Sequence, residues 1–274
     1  MTDSPVFLLV DNGSLQPAAT LRLRHLADAL SRRTGRTVEP VSLLHSSAIP
    51  ASELEGRPAE ILEPTLRRRF AEGRRDFVIV PLFFGRSAAL TDYIPERVRA
   101  LSATLSGLSV RVAPPLVDVT DPVDPRLTSI LRDLVHQTIS ARRLECPWVI
   151  LVDHGSPQPA VGAVRDRVAC DLAAALAGIA ARVDAASMER REGAAYDFNE
   201  PLLAQALRRC DGPGVVAPLF FSPGRHAGPD GDISQICREA EADHPGLKVH
   251  LAPLVGEHPG LVEILADRLH TAAS

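Results

Sequence analysis

Lysine is almost missing from this chain: Lys248 is the only one in 274 residues, so nearly all the positive charge is arginine. A high-GC genome explains such a bias, but the bias has a chemical consequence. A guanidinium grips carboxylates bidentately where an ammonium does not. Positive charge is not in excess either: 30 Lys and Arg face 34 Asp and Glu, for a net charge of −4. Bulk electrostatics therefore give no reason to expect nucleic-acid binding. No apolar run approaches the ~20 residues that span a bilayer. Met1–Pro5 is short and acidic and lacks the basic start of a secretory leader. The four cysteines, Cys146, Cys170, Cys210 and Cys237, include no C-x-x-C pair. This argues against a disulfide framework or an iron–sulfur site and fits idle thiols in a reducing cytoplasm, with Cys170 expected in the core of a helical pattern. Walker A and G-x-S-x-G motifs are both absent, which removes the P-loop NTPases and the serine hydrolases built on a nucleophile elbow. With 45% hydrophobic and 23% charged residues, the chain is neither disordered nor a coiled coil.

What is present is a duplication. Leu9–Ala18 reads LVDNGSLQPA and Leu151–Ala160 reads LVDHGSPQPA, identical at eight of ten positions. Val80–Arg86 (VPLFFGR) returns as Ala217–Arg225 (APLFFSPGR), and Val110–Leu116 (VRVAPPL) as Val249–Leu254 (VHLAPL). Matched blocks in the same order place two copies on either side of a boundary near Leu144–Pro147, hence domains 1–144 and 145–274. Within each copy, short apolar runs alternate with helical periodicity. Strands are expected at Val6–Val10, Thr37–Leu44, Phe77–Phe84 and Ser109–Ala113, and again at Trp148–Val152, Ala181–Ser187, Gly214–Phe220 and Leu247–Leu251. Strands separated by helices pair in parallel. The expected fold is α/β: two tandem sandwich domains, each a four-stranded parallel sheet flanked by helices.

Ligands of open parallel sheets sit beyond the carboxyl ends of the strands. In the second copy, those turns carry His154, Glu189 and His226, spaced by about one strand–helix unit each. Two imidazoles and a carboxylate suit a divalent transition metal and can accept protons near neutral pH. A lone histidine after a strand is usually only a hydrogen-bonded loop residue; three groups on successive strand ends are what raise the functional reading. His25, His136, His244, His250, His258 and His270 lack such company and read as surface or capping residues. Gly155 and Gly224 are expected to supply positive φ in tight turns. Ser156 reads either as a cap of the next helix or as part of an anion-attracting helix start.

The first copy serves as an internal control. Aligned by the repeat, Asn12 stands for His154, Leu44 for Glu189 and Ser87 for His226, while the apolar frame is kept. The second half is therefore expected to react and the first to cover and help bind. His45, next to Leu44, enters only if the strand register shifts.

These motifs together, LVDHGSPQP, SMERR, PLFFSPGRHAGPD and APLVGEHPGL, resemble the sirohydrochlorin chelatase family over nearly the whole chain. These are class II chelatases, which insert cobalt or ferrous iron into a reduced tetrapyrrole. The resemblance implies that His154 and His226 are the metal ligands. It places the family's acidic residue at Glu189, which stabilises an imidazolium or passes protons to solvent. One imidazole, His154 by preference, takes a pyrrole proton. It implies Co²⁺ or Fe²⁺ as substrate, a tetrapyrrole partner, and no ATP or organic cofactor, in cobalamin or sirohaem biosynthesis. The substrate's eight carboxylates call for an arginine rim: Arg225, Arg190 and Arg191 in the candidate loops and Arg86 from the first half, with Ser156 and Gly224 as further substrate contacts. Each arginine reads equally as a solvated surface charge. Phe83, Phe84, Phe220 and Phe221 are either macrocycle neighbours or core. Rival readings are a non-catalytic metal or tetrapyrrole carrier, a chelatase for another porphyrin, and a metal-dependent hydrolase. A cytoplasmic monomer is preferred, a homo-oligomer being the alternative, with neither nucleic acid nor membrane as partner.

Overall fold

The computed structural model describes residues 4–118 and 124–273; Met1–Asp3, which the reading of the N-terminus includes, lie outside them. The described residues form two compact units, 4–118 with 262–273 and 124–261. In the first, β1 (Val6–Asp11), β2 (Val38–Ser42), β3 (Asp76–Pro81) and β4 (Ser109–Val112) make a parallel sheet in the order β2-β1-β3-β4. The helices between them are α1 (Pro17–Thr34), α2 (Leu62–Ala71) and α3 (Ile94–Ser102). After α4 (Arg126–Arg142), the second unit repeats the scheme with β5 (Trp148–Asp153), β6 (Arg182–Ser187), β7 (Pro213–Pro218) and β8 (Lys248–Leu251), ordered β6-β5-β7-β8. Its helices are α5 (Pro159–Ala175), α6 (Leu203–Leu207) and α7 (Asp232–Asp243), and α8 (Gly260–Ala273) ends the chain.

The local reasons are visible in the residues. β1, β3, β5 and β7 are central strands with near-continuous apolar runs, as burial on both faces demands. The edge strands β4 (SVRV) and β8 (KVHL) have exposed ends. α1 opens on Pro17, whose missing N–H costs nothing there, and closes on Gly35 at φ 66°. The expected third strands stop short, at Pro81 and Pro218. Phe83, Phe84, Phe220 and Phe221 therefore lie in the turns that follow and are half-buried; Phe83 and Phe220 pack on the core. Cys170 is exposed, contrary to expectation, because it falls on the outer face of α5; Cys210 and Cys237 are buried.

The packed units have other bounds than the sequence copies. α4, the last helix of the first copy, packs on α5 and β7 in the second unit. From Val262 onward α8 belongs to the first, where Arg268 donates to the carbonyls of Pro115 and Leu116 and Arg111 to that of Ala272. Among the described residues, no helix is long and apolar enough to cross a membrane.

Candidate metal and proton-transfer site

In the second sheet β5 lies between β6 and β7, so the turns after these three strands are neighbours at one edge. The first two are stitched together through the backbone: Met188 N–H donates to Asp153 O (2.8 Å) and Glu189 N–H to His154 O (3.1 Å). Gly155 sits at φ 91°, and a Cβ there would lie 1.9 Å from Glu189 O. This turn requires glycine on both counts. Gly224, by contrast, is not among the positive-φ residues, so the expectation for it fails.

His154 and His226 come together with ring centroids 4.6 Å apart and planes at 78°. Each ring is oriented through its Nδ1. His154 Nδ1 lies 3.0 Å from the Gly155 carbonyl, an acceptor. His226 Nδ1 lies 2.6 Å from Asp232 Oδ2. With Nδ1 engaged in this way, Nε2 is the atom of each ring that can bind a cation or exchange a proton. Glu189 Oε1 lies 3.6 Å from His154 Nε2, placed to stabilise an imidazolium once it forms. The three side chains are 42%, 29% and 63% exposed for His154, His226 and Glu189, so the groups face solvent. Among the described residues no three His, Cys, Asp or Glu side chains stand as a ready-made metal cage. The site is a pair of imidazoles with one carboxylate beside the first of them.

Below the imidazoles is a buried polar layer. Ser187 Oγ donates to Asp153 Oδ1 (2.6 Å), which also accepts from Gly155 N–H (3.1 Å). Desolvation pushes the Asp153 carboxyl up from its ordinary range, against the pull of Ser187 and of Arg165. Ser156 does not cap α5 from the N-cap position, which is Gln158; its Oγ accepts from Gln158 N–H in the preceding turn. Sequence reasoning missed Asp232 and this layer. The only sequence signal was an aspartate six residues after His226, at a helix start.

The arginines divide. Arg225 is 78% exposed and has Asp232 at 3.8 Å. Arg190 is held by Asp197 (2.5 Å) and Glu200 (2.8 Å), and Arg191 lies over the Tyr196 ring. In the first unit Arg86 pairs with Asp118 at 2.8 Å. Ligand carboxylates would have to displace those partners, whereas Arg225 is mostly exposed and its pair with Asp232 is the longer one.

The first unit repeats the frame without the chemistry. Leu43 N–H and Leu44 N–H donate to Asp11 O and Asn12 O, and Gly13 at φ 86° abuts Leu44 O. Asn12 and Leu44 thus occupy the places of His154 and Glu189. His45 is exposed at φ 67°. A cavity of about 720 Å³ in this unit lies at the opposite edge of its own sheet, lined by Phe7, Arg36, Glu39 and Arg69 among others.

The CbiX family model matches residues 6–138 and again 148–272. No curated protein matches the chain. Among solved structures, the sirohydrochlorin chelatase SirB from Bacillus subtilis subspecies spizizenii in complex with cobalt superposes with a TM-score of 0.71 at 16% identity, covering 99% of this chain and 96% of that one. SirB from Bacillus subtilis with Fe³⁺ gives 0.70 at 16% identity, with the same coverage. CbiX, the terminal enzyme for biosynthesis of siroheme in denitrifying bacteria, gives 0.65 at 20% identity, covering 98% of this chain and all of the other.

Proposed function

Because the chain belongs to the CbiX family, we propose that it inserts a divalent metal ion, Co²⁺ or Fe²⁺, into sirohydrochlorin, with neither ATP nor an organic cofactor. The observation that carries this reading is the pair of imidazoles with ring centroids 4.6 Å apart, each held through Nδ1, and Glu189 beside one of them.

Metallation must strip two pyrrole protons from the macrocycle and deliver a partly dehydrated ion. Neutral imidazoles bind Co²⁺ and Fe²⁺ without the grip of thiolates, so the ion is held and then released. His226, fixed by Asp232, is the anchor for the incoming ion. His154 accepts the two pyrrole protons at Nε2 one after the other; each time the imidazolium forms facing Glu189, whose exposed carboxylate passes the proton to solvent before the next transfer. Arg225, 78% exposed, offers its guanidinium to a substrate carboxylate. The duplicated chain supplies both halves from one polypeptide, and we assign it as a cytoplasmic monomer; light scattering tests this.

Anaerobic sirohydrochlorin mixed with Co²⁺ or Fe²⁺ and followed by absorbance provides the test. His154→Ala and His226→Ala are each expected to lower the enzyme-dependent rate at least ~100-fold, the scale of a lost acid/base or ligand role. Asn12→Ala is expected to leave it unchanged. Full turnover in both histidine variants would refute the site, and Co²⁺ binding without any turnover in the wild type would make the protein a carrier.

A further inference from the structure

Arg165 on α5 is the largest fully buried side chain of the described residues, 2% exposed. A guanidinium is tolerated there only if its donors are satisfied, and all five are. Nε and one Nη2 hydrogen go to Asp166 Oδ1 (2.8 and 2.7 Å), and the other Nη2 hydrogen to Phe198 O (2.9 Å). Nη1 donates to Asn199 O (3.2 Å) and to Ser187 Oγ. Ser187 passes its own hydrogen to Asp153, directly before His154. Asn199, fully buried, grips the next turn from both sides: its Oδ1 accepts from Ser156 N–H (2.9 Å) and its Nδ2 donates to Ser156 O (3.0 Å). One side chain thus fastens the ends of β5 and β6 and the loop 194–199.

The first unit supplies a natural contrast. The repeat puts Leu23, 2% exposed, where Arg165 stands. Its neighbour Arg24 closes the loop after β2 by donating to Leu54 O (2.7 Å), Arg57 O (2.6 Å) and Pro58 O (3.2 Å). Among the described residues it makes no hydrogen bond to Asp11 or Ser42. Both units have a buried arginine that closes a loop; only the unit with the imidazoles connects it to the Asp–Ser pair.

We infer that Arg165 is a positioning residue for the reactive half: its bonds to Ser187, Phe198 and Asn199, carried on through Ser187 to Asp153 and through Asn199 to Ser156, hold the turn of His154 and the loop of Glu189 in one register. This deepens the chelatase reading and rests on it. A fixed planar fork suits the task; a lysine, with three donors on a flexible stem, cannot span the same partners.

The test uses the full chain with Arg165→Leu, which copies the first unit's own residue, with Arg165→Lys, and with Arg24→Leu as the control that likewise removes a buried arginine. Arg165→Leu is expected to lower kcat for Co²⁺ insertion by about 10–100-fold, the range for partners that orient a site residue, with the KM for sirohydrochlorin little changed. Arg165→Lys is expected to recover part of the loss. Arg24→Leu is expected to lower the melting temperature comparably and leave kcat alone. Hydrogen exchange gives a readout that needs no turnover: the Ser156 and Glu189 amides are expected to exchange faster in Arg165→Leu and not in Arg24→Leu. A wild-type kcat in Arg165→Leu, unchanged exchange at those amides, or an equal loss of kcat in Arg24→Leu would each overturn the inference. If Arg165→Leu does not fold, Arg165→Lys carries the same comparison. An inactive wild type with the exchange result intact would remove the chelatase reading and leave the positioning role standing.

Discussion

At Asp11 the first unit holds a largely desolvated carboxyl. Desolvation pushes its carboxyl up to about 6, only partly opposed by hydrogen bonds from Ser42 and from Gly13 N–H. A carboxyl near 4 when unfolded and near 6 when folded binds more protons in the folded state between those values. Stability therefore falls as pH rises through that window, and the whole penalty stands above it. Asp11→Asn keeps an acceptor for the Gly13 amide and removes the titration. It is expected to be near neutral for stability at pH 4 and to stabilise by up to about 3 kcal/mol at pH 8, as read from urea unfolding at both values. An equal effect at both pH values would contradict the assignment. Asp153 shares the frame but has Arg165 at 3.9 Å, and among the described residues Asp11 has no such ion pair.

For the elements, the turns after β5 and β6 behave as one piece, because Gly155 leaves no room between them. Gly155→Ala would meet both a left-handed φ and the Glu189 carbonyl at 1.9 Å, whereas Gly212→Ala at φ 67° would meet only the φ, with nothing within 4 Å. The second substitution is expected to cost about 1 kcal/mol. The first is expected to cost about 3 kcal/mol or more, since the backbone itself must move, and to reduce turnover as well. Denaturant unfolding of the two variants side by side checks the difference; equal costs would mean that the turn yields easily.

In the whole molecule, the helix that ends the second copy completes the first unit. Ile264, Leu265, Ala266 and Leu269 on α8 are all buried. Ending the chain at Leu261 removes that face, roughly 5 kcal/mol or more of apolar burial, which is comparable to the whole stability of a domain. The truncated chain is expected to lose the cooperative melting of the first unit, although the deleted residues lie at the far end of the sequence. Calorimetry of the two lengths decides it, and an unchanged transition would sink the packing argument.

The sequence alone was enough for the parallel α/β frame, the duplication, and the half that holds the imidazoles. Those features are written in neighbouring residues: unbroken apolar runs such as Phe7–Val10, a proline at the start of α1 and α5, and two nearly identical strand-end motifs that differ at Asn12 and His154. What packing decided depends on partners far apart in the chain. Asp232 became the holder of His226, Arg165 found Ser187 and Asn199, and Arg190 and Arg86 were drawn to nearby carboxylates rather than left open. α4 and α8 each joined the unit of the other copy. A repeat in sequence records descent from one gene segment, whereas a packed unit records which apolar faces meet, and the two boundaries need not coincide.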